Sequence, residues 1–320
     1  MMNTGNSNLR AIKDAFGSRV QENVRLANYT TAHVGGPADG FLVVNDAQEL
    51  EKAVRIVWDN HIPYAILGSG SNVLISDQGL RGLVIHNRAH TIKVHAVDGE
   101  PYVWAESGAN FGLIARQIAL RGLSGLEWAA TIPGSVGGAV YGNAGAHGSD
   151  TASNLILAEI LHLMNGKVKW TPEQLGYGYR TSILKREKTP AVILTAEFRL
   201  TPSTPEAVKE KMDEFNTRRR NTQPPGASMG SMFKNPPGDH AGRLIEDAGL
   251  KGTRIGGVEI SSMHANFFVN HADATAQDIY NLIDLARKKV AEKSGVELEL
   301  EIELLGEWSS GDHSTENRYR

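Results

Sequence analysis

The sequence predicts a mixed helix-and-strand protein of two or three domains, and three observations predict it. Segments with helical periodicity alternate with short apolar runs of strand length. Two long glycine-rich segments interrupt that alternation. The 320 residues exceed one ordinary domain, and 41% hydrophobic with 22% charged content can bury a sizeable core and still close a ligand cleft.

Composition removes several classes of function. The net charge of −3 gives no global basic field of the kind that draws nucleic acid. The absence of cysteine excludes disulfides, thiolate metal sites, iron–sulfur clusters and cysteine nucleophiles. The eleven histidines show no HExxH or other ligand spacing, so no metal is predicted. Residues 1–20 lack the apolar core of a signal peptide, and no apolar run approaches the roughly 18–20 residues of a membrane span. The expectation is a cytoplasmic protein with no membrane span.

Taken in order, residues 1–20 are polar and read as a flexible N-terminus. Asp46 starts a helix with Leu50, Ala53, Val54 and Val57 on one face. PYAIL at 63–67 and LVI at 83–85 read as strands. Asn110 caps a second helix, Ile114 and Ile118 line its buried face, and Gly122 ends it. Strand-like runs follow at ILAEILHLM and AVILTAEFRL, then TPSTPE at 201–206, a linker or the start of a helix. From about 207 the composition changes: a charged helix, VKEKMDEFNTRRR, leads into QPPGASMGSMFKNPPG. Thr275 opens a long helix through a capping pattern, with Ile279, Leu282, Ile283, Ala286 and Val290 on its apolar face and Gly295 at its close. VELELEIELLG alternates like a half-buried strand, and the tail SSGDHSTENRYR is predicted to be disordered.

Five segments carry the chemistry. LGSGSNVLISD at 67–77 offers bare backbone at Gly68 and Gly70 and donors at Ser69, Ser71 and Asn72, suited to an anion. It lacks the third glycine of a Rossmann fingerprint and the GK[ST] of a P-loop, and a plain turn explains it equally well. IPGSVGGAVYGNAGAHG at 132–148 holds six glycines from Gly134 to Gly148. Ordering so many costs chain entropy, which a flat ligand or a pyrophosphate against the backbone would offset. Its apolar Ile132, Val136, Val140 and Tyr141 argue against a free linker. Two such loops suggest a dinucleotide held between two lobes, as FAD is outside the Rossmann fold. YGYRTS at 177–182 contains Arg180, which alone reads as a surface residue. GASMGSMFKNP at 226–236 places Ser231 beside Met232 and Phe233, which could hold its hydroxyl at a cleft edge, although a turn serine is the simpler reading. Lys234 suits a phosphate, and Asn235 a sugar or base. Glu297, Glu299, Glu301 and Glu303 share one face of the final run, and the residues alone do not single out Glu301.

Together these segments resemble the UDP-N-acetylenolpyruvoylglucosamine reductases (the MurB family). YTTAHVGGPA at 29–38, LGSGSNVLISD, IPGSVGGAVYGNAGAHG, YRTS at 179–182, GSMFKNP at 230–236, AGRLIEDAGLKG at 241–252 and HANFFVN at 264–270 occur in the family's order, over about residues 24–307. Seven weak motifs in order make the match specific. The resemblance implies an α+β protein: a two-lobed FAD-binding fold of the vanillyl-alcohol oxidase type plus a C-terminal substrate-binding α+β domain. The expected division is a first FAD-binding lobe over 21–88, a second over 89–206, a substrate domain over 207–308 whose last strand returns to the active site, and the tail 309–320. The short chain around YGYRTS resembles the family's second type.

The resemblance implies catalytic roles for Arg180, Ser231 and Glu301: polariser of the substrate carboxylate, proton donor, and stabiliser of the enolic intermediate. It implies FAD contacts at Gly68, Ser69, Gly70, Ser71, Asn72, Pro133, Gly134, Ser135, Gly137, Gly138, Asn143 and Gly145. Substrate contacts are implied at Lys234, Asn235, Lys251, His264 and Asn266. The implied partners are NADPH and a UDP-linked amino sugar, and the implied working form is a monomer. Three positions depart from the family's pattern. His33 and His147 stand where basic and aromatic residues, respectively, are usual, and Glu303 stands where an arginine commonly favours the anionic substrate. Two rival readings make different demands. An oxidase of the same flavin fold would reoxidise rapidly with oxygen and need no NADPH, and a non-catalytic nucleotide binder would lack the catalytic trio, which is present here.

Overall fold

The computed structural model describes residues 9–97 and 99–308. The described residues form two compact units, one from residues 9–21, 41–69, 84–97 and 99–218, the other from residues 22–40, 70–83 and 219–308. The expected division was contiguous, with boundaries at 88 and 206. The structure groups the chain differently because two early segments make long-range contacts: Val73–Ile75 pairs with Glu303–Leu305, and the Ala32 carbonyl accepts from the Asn270 side-chain amide at 2.9 Å.

The first unit is built on a five-stranded antiparallel sheet in the order Gly166–Trp170, Leu155–His162, Ala191–Arg199, Glu100–Glu106, Ile92–Val97. The helix Phe111–Ala119 packs in its core, where Phe111 lies edge-on to Trp128 at 5.5 Å and against Phe198 at 4.9 Å. Asn110 caps that helix as expected, its Oδ1 accepting from the Leu113 N–H at 2.8 Å. The helix Ala47–Asp59 likewise starts at Asp46 and buries Leu50, Ala53, Val54 and Val57. A buried carboxylate, Glu106, accepts at 2.8 Å from the N–H groups of both Ala47 and Thr91 and so ties that helix start to the sheet edge. Of TPSTPE, Thr201–Pro202 pairs with Leu123–Ser124, and Pro205 opens the helix Pro205–Thr222.

The N-terminal reading is corrected within the described residues. Arg10–Phe16 is a helix, with Leu9 and Ile12 buried and Lys52 reaching both the Ala15 carbonyl and the Phe16 ring. Two apolar residues three apart in a seven-residue helix are too short a signal for periodicity to reveal. Residues 1–8 and the expected disordered tail 309–320 lie outside the described residues.

The second unit packs a three-stranded antiparallel sheet (Arg254–Ile255, Val258–Ile260, Phe268–Asn270) against the helix Ala276–Ser294. Ile279, Leu282, Ile283, Ala286 and Val290 are fully buried, as the period predicts. Thr275 and Asp278 form the capping box, and Gly295 closes the helix at φ 71°. The helix start has a further partner the sequence did not reveal: Asp77, whose two carboxylate oxygens accept from the Ala276 and Gln277 N–H groups, each at 2.9 Å.

The expected final strand is also corrected. Only Glu303–Leu305 is a strand, pairing in parallel with Val73–Ile75, and residues 296–299 have no regular structure. The alternation survives in burial without a ladder. Leu298 and Ile302 are buried, Glu297 and Glu299 are exposed, and Glu301 and Glu303 are half-buried. Apolar alternation reports which face is covered, not which groups hydrogen-bond.

Removing the Asp77 carboxylate leaves two helix N–H groups without their acceptor. Asp77→Ala should lower unfolding stability by about 1–2 kcal/mol, measured as a shift in the urea midpoint at unchanged slope.

Candidate active site

In the first unit the glycine-rich segment is not an open loop. Ser135 caps a helix, Val136–Gly142, with its Oγ accepting from the Gly138 N–H at 3.4 Å. Sequence reasoning missed this helix because three of its seven residues are glycine. Three backbone hydrogen bonds fix its start: Phe111 N–H to Gly134 O at 3.1 Å, Val136 N–H to Ala109 O at 2.9 Å, and Gly137 N–H to Ser107 O at 2.7 Å. The two glycine segments meet here. A Cβ on Gly68 would lie 2.4 Å from Ser135 Oγ, a distance no real side chain tolerates. Gly68 is therefore required by close approach. Ser69, Pro133 and Gly138 on the same stretches are exposed, so bare backbone faces outward above a pinned base. The N–H groups of Val136, Gly137 and Gly138 are spent on the protein, so a pyrophosphate here would draw on the backbone N–H groups of Ser69 and Gly134.

Asn143 has a different role from the expected cofactor contact. It is 3% exposed and takes the left-handed conformation at the end of that helix. Its Nδ2 donates to Gly178 O at 3.0 Å and Asp150 Oδ2 at 3.1 Å, and its Oδ1 accepts from the Ala152 N–H at 3.0 Å. Its amide is spent on the protein. Gly145 pairs with Asp150, and its carbonyl accepts from the Arg180 guanidinium at 2.6 Å. Arg180 itself has φ 55°, unusual for a residue with a side chain, and its guanidinium stacks over Tyr179 at 5.1 Å.

The remaining half of the first turn, Gly70–Asn72, belongs to the second unit. Gly70 has φ 61°, and a Cβ there would strike the Tyr29 carbonyl at 2.0 Å. Its own carbonyl accepts from the Thr31 N–H at 3.0 Å. Asn72 reaches the far end of the chain, its Nδ2 donating to Glu301 O at 3.2 Å.

Ser231 and Glu301 are brought together. Residues 231–234 run between two other backbone segments. On one side Ser231 bridges Phe267 and the Met232 N–H donates to Asn266 O at 2.8 Å. On the other, the Glu301 N–H donates to Met232 O at 2.9 Å, Phe233 bridges Leu300, and the Lys234 N–H donates to Glu299 O at 2.8 Å. Met232 and Phe233 are fully buried and anchor the segment, while Ser231 and Glu301 stay half-buried. Arg180 lies in the first unit with the glycine segment.

The expected substrate contacts separate into two groups. Asn266 is 2% exposed, and its amide pairs like a strand with the Phe233 backbone, accepting from the N–H at 2.9 Å and donating to the carbonyl at 2.8 Å. It positions the serine segment and is not placed to touch a ligand. Asn235 Oδ1 accepts from the Ala241 N–H at 3.1 Å, at the start of the helix Ala241–Asp247. Lys234 pairs with the exposed Glu299, and Lys251 with Glu246 at 2.8 Å. In each pair the carboxylate is the exposed partner, while the Lys234 side chain is largely covered. His264 Nδ1 accepts from the Asn266 N–H at 3.2 Å, and burial holds its imidazole below the ordinary range. Among the described residues no cluster of His, Asp or Glu could hold a metal ion, and no helix is long and apolar enough to cross a membrane.

Comparison with known proteins adds a second line of observation. Residues 222–305 match the C-terminal domain of UDP-N-acetylenolpyruvoylglucosamine reductase, and residues 38–172 match an FAD binding domain. A UDP-N-acetylenolpyruvoylglucosamine reductase of Rubrobacter xylanophilus is 47% identical over 88% of this chain and 94% of its own length. The Bacillus subtilis protein of the same name is 40% identical over 93% and 98%, respectively. The crystal structure of the Thermus caldophilus reductase is similar at a TM-score of 0.75 and 37% identity, covering 89% of this chain and 98% of that one.

Two tests follow from the geometry. Gly68→Ala should destabilise by about 1–3 kcal/mol, and Ser135→Ala should recover part of that loss, giving a coupling of roughly 1 kcal/mol in a double-mutant cycle. For His264 the folded value is depressed, so the unfolded chain binds its proton first as pH falls. Its contribution to stability is present above about pH 6.5 and is lost as pH falls below that value. The thermal midpoint of His264→Gln should therefore fall less than the parent's between pH 7 and pH 5.

Proposed function

The chain belongs to the UDP-N-acetylenolpyruvoylglucosamine reductase family, and on that premise we propose that it uses NADPH and FAD to reduce UDP-N-acetyl-3-O-(1-carboxyvinyl)glucosamine to UDP-N-acetylmuramate, a step in peptidoglycan precursor synthesis. The reading is supported by one observation above the others: Ser231 and Glu301, distant in sequence, are held on adjoining backbone segments by the Glu301 N–H to Met232 O bond.

Bound FAD supplies the two-electron relay that lets NADPH and the unsaturated ether react in turn. In the first unit, the residues that would hold its pyrophosphate are the backbone of Gly68–Ser69 and of Gly134 at the start of the glycine-rich helix. The chain's own work is binding, charge stabilisation and proton delivery. Hydride addition to the terminal carbon of the double bond places an electron pair on the neighbouring carbon, conjugated with the carboxylate. Arg180 faces that carboxylate in the proposed complex, and Glu301, as the neutral carboxylic acid, donates a hydrogen bond to the developing enolate, so charge is stabilised where it grows. The Ser231 O–H gives its proton to the carbon, completing the lactyl ether, and the serine oxygen regains a proton from solvent. A hydroxyl is a weak acid, but a carbanion-like carbon is a strong enough base to take its proton.

Lys234, Asn235, Lys251 and His264 are assigned to the UDP-sugar. The two lysines are the phosphate-seeking members, since each exchanges one carboxylate partner for another anion. The enzyme is proposed to work as a monomer in the cytoplasm, where a soluble UDP-sugar would be met.

Adding NADPH and the enolpyruvyl sugar to purified protein and following nicotinamide absorbance tests the overall reaction. Oxygen consumption without need of NADPH would favour the oxidase alternative. Within the reaction, Ser231→Ala should leave flavin reduction by NADPH nearly normal and slow reoxidation by the enolpyruvyl ether about 100-fold or more. Stopped-flow absorbance separates the two halves, and equal small losses in both would remove Ser231 from the role.

A further inference from the structure

We propose that Tyr177 and Ser182 are positioning residues for Arg180, acting through the carbonyl end of the helix Val136–Gly142. The inference rests on the assignment of Arg180 to the substrate carboxylate. It adds how the chain holds that guanidinium in place before any ligand arrives.

Gly178–Thr181 forms a tight turn, closed by Gly178 N–H to Thr181 O at 3.1 Å and Thr181 N–H to Gly178 O at 3.3 Å. Arg180 occupies its third position at φ 55°, where a glycine would be at ease. A side chain there is under backbone strain. Such a conformation persists only where the surroundings over-determine it, and here the surroundings are specific.

The last carbonyls of a helix have no partner within it. In the helix Val136–Gly142 two of these are taken by side chains that flank the arginine. The Tyr177 hydroxyl, three residues before Arg180, donates to Val140 O at 2.9 Å. The Ser182 hydroxyl, two residues after it, donates to Tyr141 O at 2.7 Å. Both donors are protected. Burial pushes the Tyr177 phenol far above the usual tyrosine range, so it stays protonated at any working pH, and Ser182 is fully buried. Between them Asn143 holds the Gly178 carbonyl, and the guanidinium itself rests on the Gly145 carbonyl.

The turn is thus fastened to positions 140, 141, 143 and 145, at and just beyond the end of a short helix whose other end is Ser135. The helix acts as a spacer between the glycine backbone proposed to hold FAD and the arginine proposed to meet the substrate. None of these bonds needs a ligand, so the charge is preorganised, and preorganised charge stabilises a transition state without reorganisation during the reaction. Tyr177 and Ser182 touch neither reactant. Their effect is on where Arg180 stands.

The test uses Tyr177→Phe and Ser182→Ala, with Tyr64→Phe as control. The control removes a comparable half-buried contact elsewhere in the same unit, the Trp58 N–H to Tyr64 hydroxyl bond of 2.8 Å. Hydrogen–deuterium exchange on cofactor-free protein should show residues 178–182 exchanging faster in the two test variants and unchanged in the control. In the FAD-loaded enzymes, flavin content and the rate of reduction by NADPH should stay within about twofold of the parent. The kcat of reoxidation by the enolpyruvyl sugar should fall about 10- to 100-fold, with a smaller change in KM. Unchanged exchange at 178–182, an equal loss in Tyr64→Phe, or faster exchange with a parental reoxidation rate would each overturn the proposal. If one variant does not fold, the other carries the same measurements. Failure of the parent itself to turn over the enolpyruvyl sugar would refute the functional reading, while the exchange result would still decide whether the two side chains hold the turn.

Discussion

The three backbone hydrogen bonds that hold residues 134–137 against residues 107–111 carry the first unit's site. A glycine-rich segment has more freedom to lose than any other, and it stays ordered only where something fixes it. Here the sheet edge and the start of the Phe111–Ala119 helix do so, and both are anchored by the aromatic cluster of Phe111, Trp128 and Phe198. Once the segment's start is fixed, Ser135 can cap its helix. The helix then presents its last carbonyls at a defined place, and the YGYRTS turn has something to grip. An ordinary aromatic core is in this way converted, step by step, into the position of one charged group.

The second unit solves the same problem with side-chain amides. Residues 231–234 have no long strand beside them, so Asn266 takes the place of a neighbouring strand and satisfies both the N–H and the carbonyl of Phe233. Buried backbone groups left without partners would cost more than the segment could recover from burying Met232 and Phe233. The asparagine is the device that lets a serine sit half-exposed in an irregular stretch with its backbone fixed. Its removal from the set of ligand contacts makes it no less necessary to the site.

Much of this was legible in the sequence, and the reasons differ by element. The helices at 47–59, 111–119 and 276–294 declared themselves because a buried face of Leu, Ile, Val and Ala repeats with the helical period and a capping residue stands before each. The helix at 136–142 did not, because glycine carries no periodicity, and the one at 10–16 was too short to show any. The final run alternated like a strand yet forms a ladder only over Glu303–Leu305. Alternation records which side chains are covered, whereas a ladder also needs a neighbour at the right distance. The site residues were legible as motifs. What they do was not, since Asn143 and Asn266 differ from Asn72 and Asn235 only in what surrounds them. The strain at Arg180 is a backbone property with no signature in residue identity.

The parallel pairing of Glu303–Leu305 with Val73–Ile75 has a consequence for how this protein comes into being. Two short strands must find each other across more than two-thirds of the polypeptide, and closing so large a loop precedes any reward from the contact. On the ribosome, Val73–Ile75 emerges long before Glu303–Leu305 and waits for it. The backbone passes between the two units five times, so no single cut releases either as an intact piece. Completion of the second unit therefore waits on Glu303–Leu305, and a chain not yet extended that far leaves apolar residues such as Leu74 and Ile75 without this partner strand.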